Sequence, residues 1–204
     1  MHAVETAVLM PVKAFTAAKG RLSVVLDRLA RADLARWLAG RVVAAAGELP
    51  TFIACDDDEV AAWADDHGVD VLWSPGLGLN GAVDAGRATI AGKGFDHVVI
   101  AHSDLPLATD LAPLAVEGSI VIVPDRRRDG TNVIAMPVGV ELPAAYGGGS
   151  YLRHAAAARA TGRPIEVRPD PRLSLDVDTP TDLAHPALLP HLPPWLRTIL
   201  DNRH

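Results

Sequence analysis

The sequence predicts an α/β domain whose mostly parallel sheet is covered by helices on both faces. Short apolar runs alternate along the chain with longer stretches in which apolar residues recur at helical spacing, as in repeated strand–helix–strand units. The run at 97–101 is almost entirely apolar, which is typical of a parallel strand buried on both faces. The length of 204 residues suits one domain.

The individual elements follow from the same pattern. The predicted strands are Thr6–Pro11, Thr51–Cys55, Val69–Trp73, His97–Ala101, Ser119–Val123, Thr131–Met136 and Ile165–Val167. We expect two helices between Ser23 and Ala46, and further helices over Val60–Asp66 (capped by Asp58), Ala82–Ala91, Ser150–Thr161 and Thr179–Leu183. Residues 1–185 form the predicted domain, and 186–204 form a proline-rich tail that either packs back on it or contacts a second subunit.

Composition excludes several classes of protein. Hydrophobic residues make up 49% of the chain and charged residues 22%, which excludes a disordered chain. The net charge of −6 gives no general basis for binding nucleic acid. No apolar run reaches the length of a membrane span, and the first residues do not resemble a signal peptide, so we expect a cytoplasmic protein. The single cysteine, Cys55, excludes a multi-cysteine metal site and is read as a small buried hydrophobe.

Two loops that follow predicted strands have the composition of a nucleotide site. Ligands of open α/β sheets bind beyond the carboxyl ends of the strands. The loop after the first strand carries Lys13, Lys19 and Arg21, a charge pattern that suits a polyphosphate, although it is not a Walker motif. In the loop after the third strand, Gly78 lets the backbone approach a ligand and Asn80 can bond a base or sugar. The alternatives are a solvated basic loop and a plain turn in which Asn80 caps the next helix.

Three aspartates are candidate metal ligands. Asp104 follows a fully apolar strand, where a carboxylate is costly unless it is paired or binds a metal. Asp176 and Asp178 are two residues apart, so in an extended segment they point to the same side. Carboxylates of this kind are ligands for Mg²⁺. The alternatives are that Asp104 forms a cap or turn and that Asp178 only begins the next helix.

Two further segments suit an acidic substrate. Arg126, Arg127 and Arg128 lie in a turn between strands, for which a solvated turn is the alternative. The sequence Gly147-Gly148-Gly149-Ser150 precedes a helix, so its amides and the Ser150 hydroxyl can form an anion site. His102 and His154 lie near these loops and are read as structural rather than as metal ligands.

In this order the motifs resemble the CofC/FbiD family, guanylyltransferases of coenzyme F-420 biosynthesis. The matching segments are Pro11-Val12-Lys13, Ala18-Lys19-Gly20-Arg21-Leu22, Gly78-Leu79-Asn80, Ser103-Asp104-Leu105-Pro106, Asp129-Gly130-Thr131-Asn132, Gly147-Gly148-Gly149-Ser150 with His154, and Asp176-Val177-Asp178-Thr179-Pro180. They span Val8 to Leu183, nearly the whole predicted domain.

The resemblance implies a Rossmann-like (GT-A-like) nucleotidyltransferase fold and a reaction. GTP and a three-carbon phosphoacid would give a guanylylated diester and pyrophosphate, with Mg²⁺ as cofactor. The implied metal ligands are Asp104, Asp176 and Asp178, and the implied catalytic residues are Lys19, Arg21 and Asp104. The resemblance also implies GTP contacts at Lys13, Gly78 and Asn80 and phosphoacid contacts at Thr131, Gly147 and Ser150. Phosphoenolpyruvate is the expected acceptor, with 2-phospho-L-lactate as the alternative. A downstream transferase of the same pathway is the implied partner, and a homodimer stays open.

The glycine-rich turn departs from the family pattern. The family often has Phe-Gly-Pro-Gly-Ser-Phe where this chain has Tyr146-Gly147-Gly148-Gly149-Ser150-Tyr151, which removes a proline and adds two hydroxyls. Other readings are a molybdopterin guanylyltransferase, a sugar-phosphate cytidylyltransferase and a nucleotide-binding subunit without turnover. The first would need a glycine-rich loop directly after strand one, where this chain has Lys13-Ala14-Phe15-Thr16.

Overall fold

A computed structural model describes residues 4–201 and contains one seven-stranded sheet with helices on both faces, as predicted. The strands are β1 (Thr6–Pro11), β2 (Thr51–Cys55), β3 (Asp70–Trp73), β4 (His97–Ala101), β5 (Ile120–Pro124), β6 (Thr131–Pro137) and β7 (Ile165–Val167). The helices are α1 (Arg28–Ala46), α2 (Asp58–Asp66), α3 (Gly78–Gly92), α4 (Ser150–Ala160), α5 (Pro180–Leu183) and α6 (Pro194–Asp201). Short 3₁₀ turns cover Phe15–Ala17, Gly20–Leu22, Ala112–Leu114 and Leu189–His191.

The strand order places a ligand-binding edge beside β1 and β4. The order is β3-β2-β1-β4-β6-β5-β7, and β6 alone in this sheet runs antiparallel to its neighbours. The order reverses between β1 and β4, and such a switch point opens a crevice outside the carboxyl ends of the strands. Because β6 is antiparallel, its first residue, Thr131, lies at the same edge, two residues beyond the pair Ala101–Val133.

Residues of β1 alternate between the two faces of the sheet. Val8 and Met10 pack with α1 and α2, and Ala7 and Leu9 pack with α3 and α4. All four side chains are fully buried, so β1 is covered by helices on both faces of the sheet. Gly86 allows α3 to approach closely, because a Cβ there would lie 2.8 Å from Leu9 Cδ1 and the buried Leu9 side chain would have to shift.

Two helix predictions are corrected by the structure. Only one helix, α1, lies between residues 23 and 46, because Asp27 begins it by accepting the Ala30 N–H (2.9 Å). The cap of α2 is Asp57 rather than Asp58, and its side chain accepts the Val60 N–H (3.1 Å). Asp57 has the extended backbone that a cap requires, whereas Asp58 is already helical.

The described part of the proline-rich tail packs back on the domain. Leu188, Leu192 and Leu196 are buried in a cluster with Leu34 and Leu38 of α1. Helix α1 is therefore covered on one side by the sheet and on the other by the tail. Among residues 4–201, no helix is both long and apolar enough to cross a membrane.

Candidate functional site

The carboxyl ends of β1 to β4 enclose a cavity of ≈ 510 Å³. Lys13, Cys55, Ser74 and His102 each follow or end one of these strands and line it. Gly78, at the start of α3, closes one side, and its positive φ of 62° is a conformation that glycine adopts without strain. The volume lies in the range of small-molecule sites, so the cavity can take a nucleoside.

A second, more open cavity of ≈ 480 Å³ adjoins the first through Lys13, which lines both. Its wall also carries Lys19, Arg21 and Asp178. The three cations predicted to contact phosphates thus share one cavity, next to the space for a nucleoside. A polyphosphate chain could run from the first cavity into the second.

Lys19 joins two of the three predicted metal-binding acids. Its Nζ lies 2.7 Å from Asp104 Oδ2 and 3.1 Å from Asp178 Oδ1, and its side chain is only 8% exposed. Burial alone would lower the pKa of Lys19, but the charges and hydrogen bonds of the two carboxylates raise it above its ordinary value. The Lys19 backbone is left-handed (φ 56°), a costly conformation for a residue with a side chain.

The third acid, Asp176, stands in an unfavourable electrostatic environment. Burial and the nearby charges of Asp104 and Asp178 raise the pKa of Asp176 to about 6. For Asp104, burial would raise the pKa, but Lys19 and His102 outweigh it and the pKa lies below its ordinary value. Among the described residues, these three acids meet the buried Lys19 ammonium and the exposed Arg21 guanidinium, which lies 4.0 Å from Asp178 Oδ2, so one negative charge is left in excess.

These residues fit a divalent cation once Lys19 moves. Asp104 Oδ1 is buried and has no hydrogen-bond partner in the described chain, and a cation would relieve the repulsion around Asp176. Within residues 4–201, no three His, Cys, Asp or Glu side chains are already spaced as a metal site. The Lys19 ammonium lies between Asp104 and Asp178, where a shared cation would sit.

The position of Asp178 depends on Asp182, a residue that the sequence analysis did not single out. Asp182 Oδ2 accepts the N–H groups of Asp178 (3.0 Å) and Thr179 (2.7 Å) and the Thr179 hydroxyl (2.8 Å). Its Oδ1 accepts from Arg126 and Arg127. These two arginines therefore support the loop that carries Asp178. Their sequence pattern predicts only a substrate contact or a solvated turn and does not reveal this support.

The Asp182→Asn variant tests this support. Removing the charge of the buried Asp182 carboxylate weakens its hydrogen bonds and its pairing with two partly exposed arginines, which should lower the free energy of unfolding by about 2 kcal/mol. The Asp178 loop should then lose its geometry, and most of the activity should be lost with it. Denaturant unfolding and initial rates measure both effects. Arg127→Gln is the control, because that side chain is 54% exposed and should cost no more than about 1 kcal/mol. Unchanged stability in Asp182→Asn would contradict the account.

The residues predicted to bind the acceptor also converge. The Thr131 N–H donates to Ser150 Oγ (3.0 Å), and the Thr131 hydroxyl lies 3.0 Å from His154 Nδ1. Gly147 has a φ of 110°, so the turn needs a glycine there. Thr131 and Ser150 are each 2% exposed, so an acceptor reaches their hydroxyls only by displacing part of the surrounding turn.

Helix α3 holds in place the turn at residues 144–149, here called the acceptor turn. Asn80 Oδ1 accepts the Tyr146 N–H (2.8 Å), and Asp84 Oδ1 accepts the Ala144 N–H (3.0 Å). Asn80 therefore lies inside the first turn of α3 and does not cap it, because the helix begins at Gly78. Its amide nitrogen has no hydrogen-bond partner among residues 4–201, and a contact between Asn80 and GTP stays a prediction.

The side chains of Asp129 and Arg153, both exposed, already bond part of the predicted anion site at the start of α4. Asp129 Oδ1 accepts the Gly149 N–H (3.1 Å), so that amide is not free for a substrate anion. Arg153 donates to the carbonyls of Ala145, Gly147 and Gly148, which fixes the turn from the opposite side. The prediction that the amides of this turn can form an anion site is therefore corrected for Gly149 and for Ser150, whose N–H donates to the Gly147 carbonyl (3.0 Å).

A family profile described as "Guanylyl transferase CofC like" matches residues 6–189. The chain belongs to this family. A relative from Rubrobacter xylanophilus, named phosphoenolpyruvate guanylyltransferase, is 35% identical over 86% of this chain and 90% of its own length. Another from Methanothermobacter thermautotrophicus, named 2-phospho-L-lactate guanylyltransferase, is 30% identical over 88% of this chain and 82% of its own length.

Solved structures agree on the fold. A candidate nucleotide-diphospho-sugar transferase from Desulfovibrio desulfuricans superposes with a TM-score of 0.70 at 18% identity, covering 91% of this chain and 88% of the other. A nucleotidyl transferase from Methanothermobacter superposes with a TM-score of 0.60 at 12% identity, covering 97% of this chain and 98% of the other. The predicted nucleotidyltransferase fold is thereby confirmed.

Proposed function

We propose that this CofC-like chain transfers GMP from GTP to phosphoenolpyruvate in the biosynthesis of coenzyme F-420, releasing pyrophosphate. The observation that carries the proposal is the meeting of Lys19 with Asp104 and Asp178 beside the open cavity that adjoins the nucleoside-sized one. The basic side chains that would bind phosphates and the acidic side chains that would bind a metal ion lie together there. Membership of the guanylyltransferase family supports the choice of reaction.

The nucleotide would lie with its base and sugar in the ≈ 510 Å³ cavity near Gly78 and Asn80. Its phosphates would run past Lys13 toward Lys19 and Arg21. Asp104, Asp176 and Asp178 would hold Mg²⁺, which as a Lewis acid stabilises negative charge on phosphoryl oxygens. With the acids holding a cation, Lys19 would pair with the phosphates in place of Asp104 and Asp178.

The chemical step needs no protein nucleophile. An oxygen of the acceptor's phosphate forms a bond to the α-phosphorus of GTP, and the bond from that phosphorus to the β-phosphate bridge breaks. Pyrophosphate leaves with the electron pair. A phosphomonoester has a second pKa near 6, so the attacking oxygen is already ionised at neutral pH and requires no general base.

The protein's part is then to hold two anions that repel each other. Lys19 and Arg21 would offset charge on the GTP side, while Thr131, Gly147 and Ser150 would bind the acceptor. The acceptor residues and the acids share one edge of the sheet because β6 runs antiparallel beside β4. Phosphoenolpyruvate is preferred because relatives such as the one from Rubrobacter xylanophilus carry that name.

Pyrophosphate release tests the proposal. The chain is given GTP and Mg²⁺ with phosphoenolpyruvate, 2-phospho-L-lactate or 3-phosphoglycerate, and ATP and CTP replace GTP as controls. Release that requires GTP and phosphoenolpyruvate together is expected. Faster turnover with 2-phospho-L-lactate would overturn the choice of acceptor. No release with any acceptor would overturn the proposed reaction.

A further inference from the structure

The hydrogen bonds of His154 fix which of its ring nitrogens carries a proton. The Ala145 N–H can only donate, and it points at His154 Nε2 (3.0 Å), so Nε2 accepts and has no proton. The proton of the neutral ring is then on Nδ1, which donates to Thr131 Oγ1 at 3.0 Å. Burial, followed by the charge of Arg153, lowers the pKa of His154 to about 4, which agrees with a neutral ring at neutral pH.

The direction of this bond determines what the Thr131 hydroxyl can do. Its oxygen already accepts from His154, so its own proton is left for another acceptor, and the described residues supply none. Ser150 Oγ is in the same state, because it accepts the Thr131 N–H (3.0 Å) and keeps its proton. Two adjacent, buried hydroxyls are therefore both set to donate, which suits a carboxylate or phosphate oxygen and does not suit a cation.

We propose that His154 is a positioning residue that holds the Thr131 hydroxyl as a hydrogen-bond donor to the anionic acceptor. The inference rests on the proposed function, since it assumes that the acceptor binds at Thr131 and Ser150. His154 itself is 1% exposed and lies behind Thr131, so it acts through that hydroxyl without touching the acceptor. The Ala145 N–H thus donates to His154, and His154 in turn donates to the Thr131 hydroxyl.

The same histidine also joins the acceptor turn to the sheet, which gives the alternative of a purely structural role. Its ring lies 4.8 Å from that of Tyr146, in the turn, and Tyr146 lies equally far from His102. Any large substitution at His154 would disturb this packing. The test therefore compares two variants of similar size that keep different halves of the hydrogen-bond chain.

His154→Asn keeps a donor near the position of Nδ1, facing Thr131, and loses the acceptor for Ala145. His154→Gln keeps an acceptor near the position of Nε2, facing Ala145, and loses the donor to Thr131. A hydrogen bond to a charged group contributes enough to change affinity about tenfold to a hundredfold. We expect the KM for phosphoenolpyruvate to rise at least about tenfold in His154→Gln, with most of the wild-type value retained in His154→Asn, while the KM for GTP stays unchanged in both.

Two further readouts decide the outcome. Adding Thr131→Val to His154→Gln should raise the acceptor KM by less than about twofold, because both changes remove one contact. Equal acceptor KM values in the two His154 variants, or losses that follow their Tm, would overturn the positioning role. If the wild-type chain shows no turnover, the proposed function fails separately, and calorimetric binding of phosphoenolpyruvate to the same variants then tests the positioning role with the same expected order.

Discussion

The Asp176→Asn variant is expected to lose about a thousandfold or more in kcat while its free energy of unfolding rises. Activity falls because the amide cannot hold the cation as a carboxylate does. Stability rises because the Asp176 charge is unfavourable in the folded protein, where burial and the charges of Asp104 and Asp178 raise the pKa of Asp176 to about 6. Removing that charge at neutral pH should stabilise the fold by about 1 kcal/mol. Initial rates and denaturant unfolding measure the two effects.

A matched control separates this effect from general charge removal. Asp70→Asn makes the same change on the exposed strand β3, where the side chain has no hydrogen bond or ion pair in the described chain. Asp70→Asn should change neither kcat nor the free energy of unfolding by more than the experimental error. Near-normal turnover in Asp176→Asn would remove Asp176 from the site. A fall in stability would show that its charge is compensated in the free protein.

The Lys19→Met variant should lose both stability and activity. Without the ammonium, Asp104 and Asp178 face each other with no buried cation, which should lower the free energy of unfolding by about 3 kcal/mol. Turnover should fall by about a hundredfold or more, because a cation for the phosphates is also lost. Thermal unfolding and initial rates measure these losses.

Added Mg²⁺ gives a second readout for Lys19→Met that does not depend on turnover. With the space between the acids vacated, Mg²⁺ should raise the Tm of the variant by more than that of the wild type. Arg21→Gln is the control, because Arg21 is 76% exposed and lies 4.0 Å from Asp178, so its loss should hardly change stability. A Tm of Lys19→Met that does not respond to Mg²⁺ would contradict the cation site.

The sequence allowed the fold and the meeting place of the acids to be predicted. Alternation of short apolar runs with helical stretches predicts a sheet covered on both faces, and the structure has one. Asp104 follows β4 and Lys19 follows β1, and the carboxyl ends of parallel neighbours share an edge. Their proximity could thus be expected, whereas the direct bond between them depends on the left-handed backbone of Lys19.

Other parts of the site could not be predicted because they depend on tertiary contacts. His154 and Thr131 are far apart in sequence, and only the packing of α4 beside β6 lets the histidine orient the hydroxyl. The pairing of Asp182 with Arg126 likewise joins segments without a local pattern. One signal was present, because a threonine three residues before an aspartate, as in Thr179 and Asp182, is typical of a helix cap.

Transfer of labelled oxygen tests the central claim most directly. Phosphoenolpyruvate is prepared with heavy oxygen at the three non-bridging positions of its phosphate and is incubated with GTP, Mg²⁺ and the chain. If an acceptor oxygen attacks the α-phosphorus, mass spectrometry will find all three labels in the guanylylated product and none in pyrophosphate. Label in pyrophosphate, or unlabelled GMP as the main nucleotide product, would contradict the account.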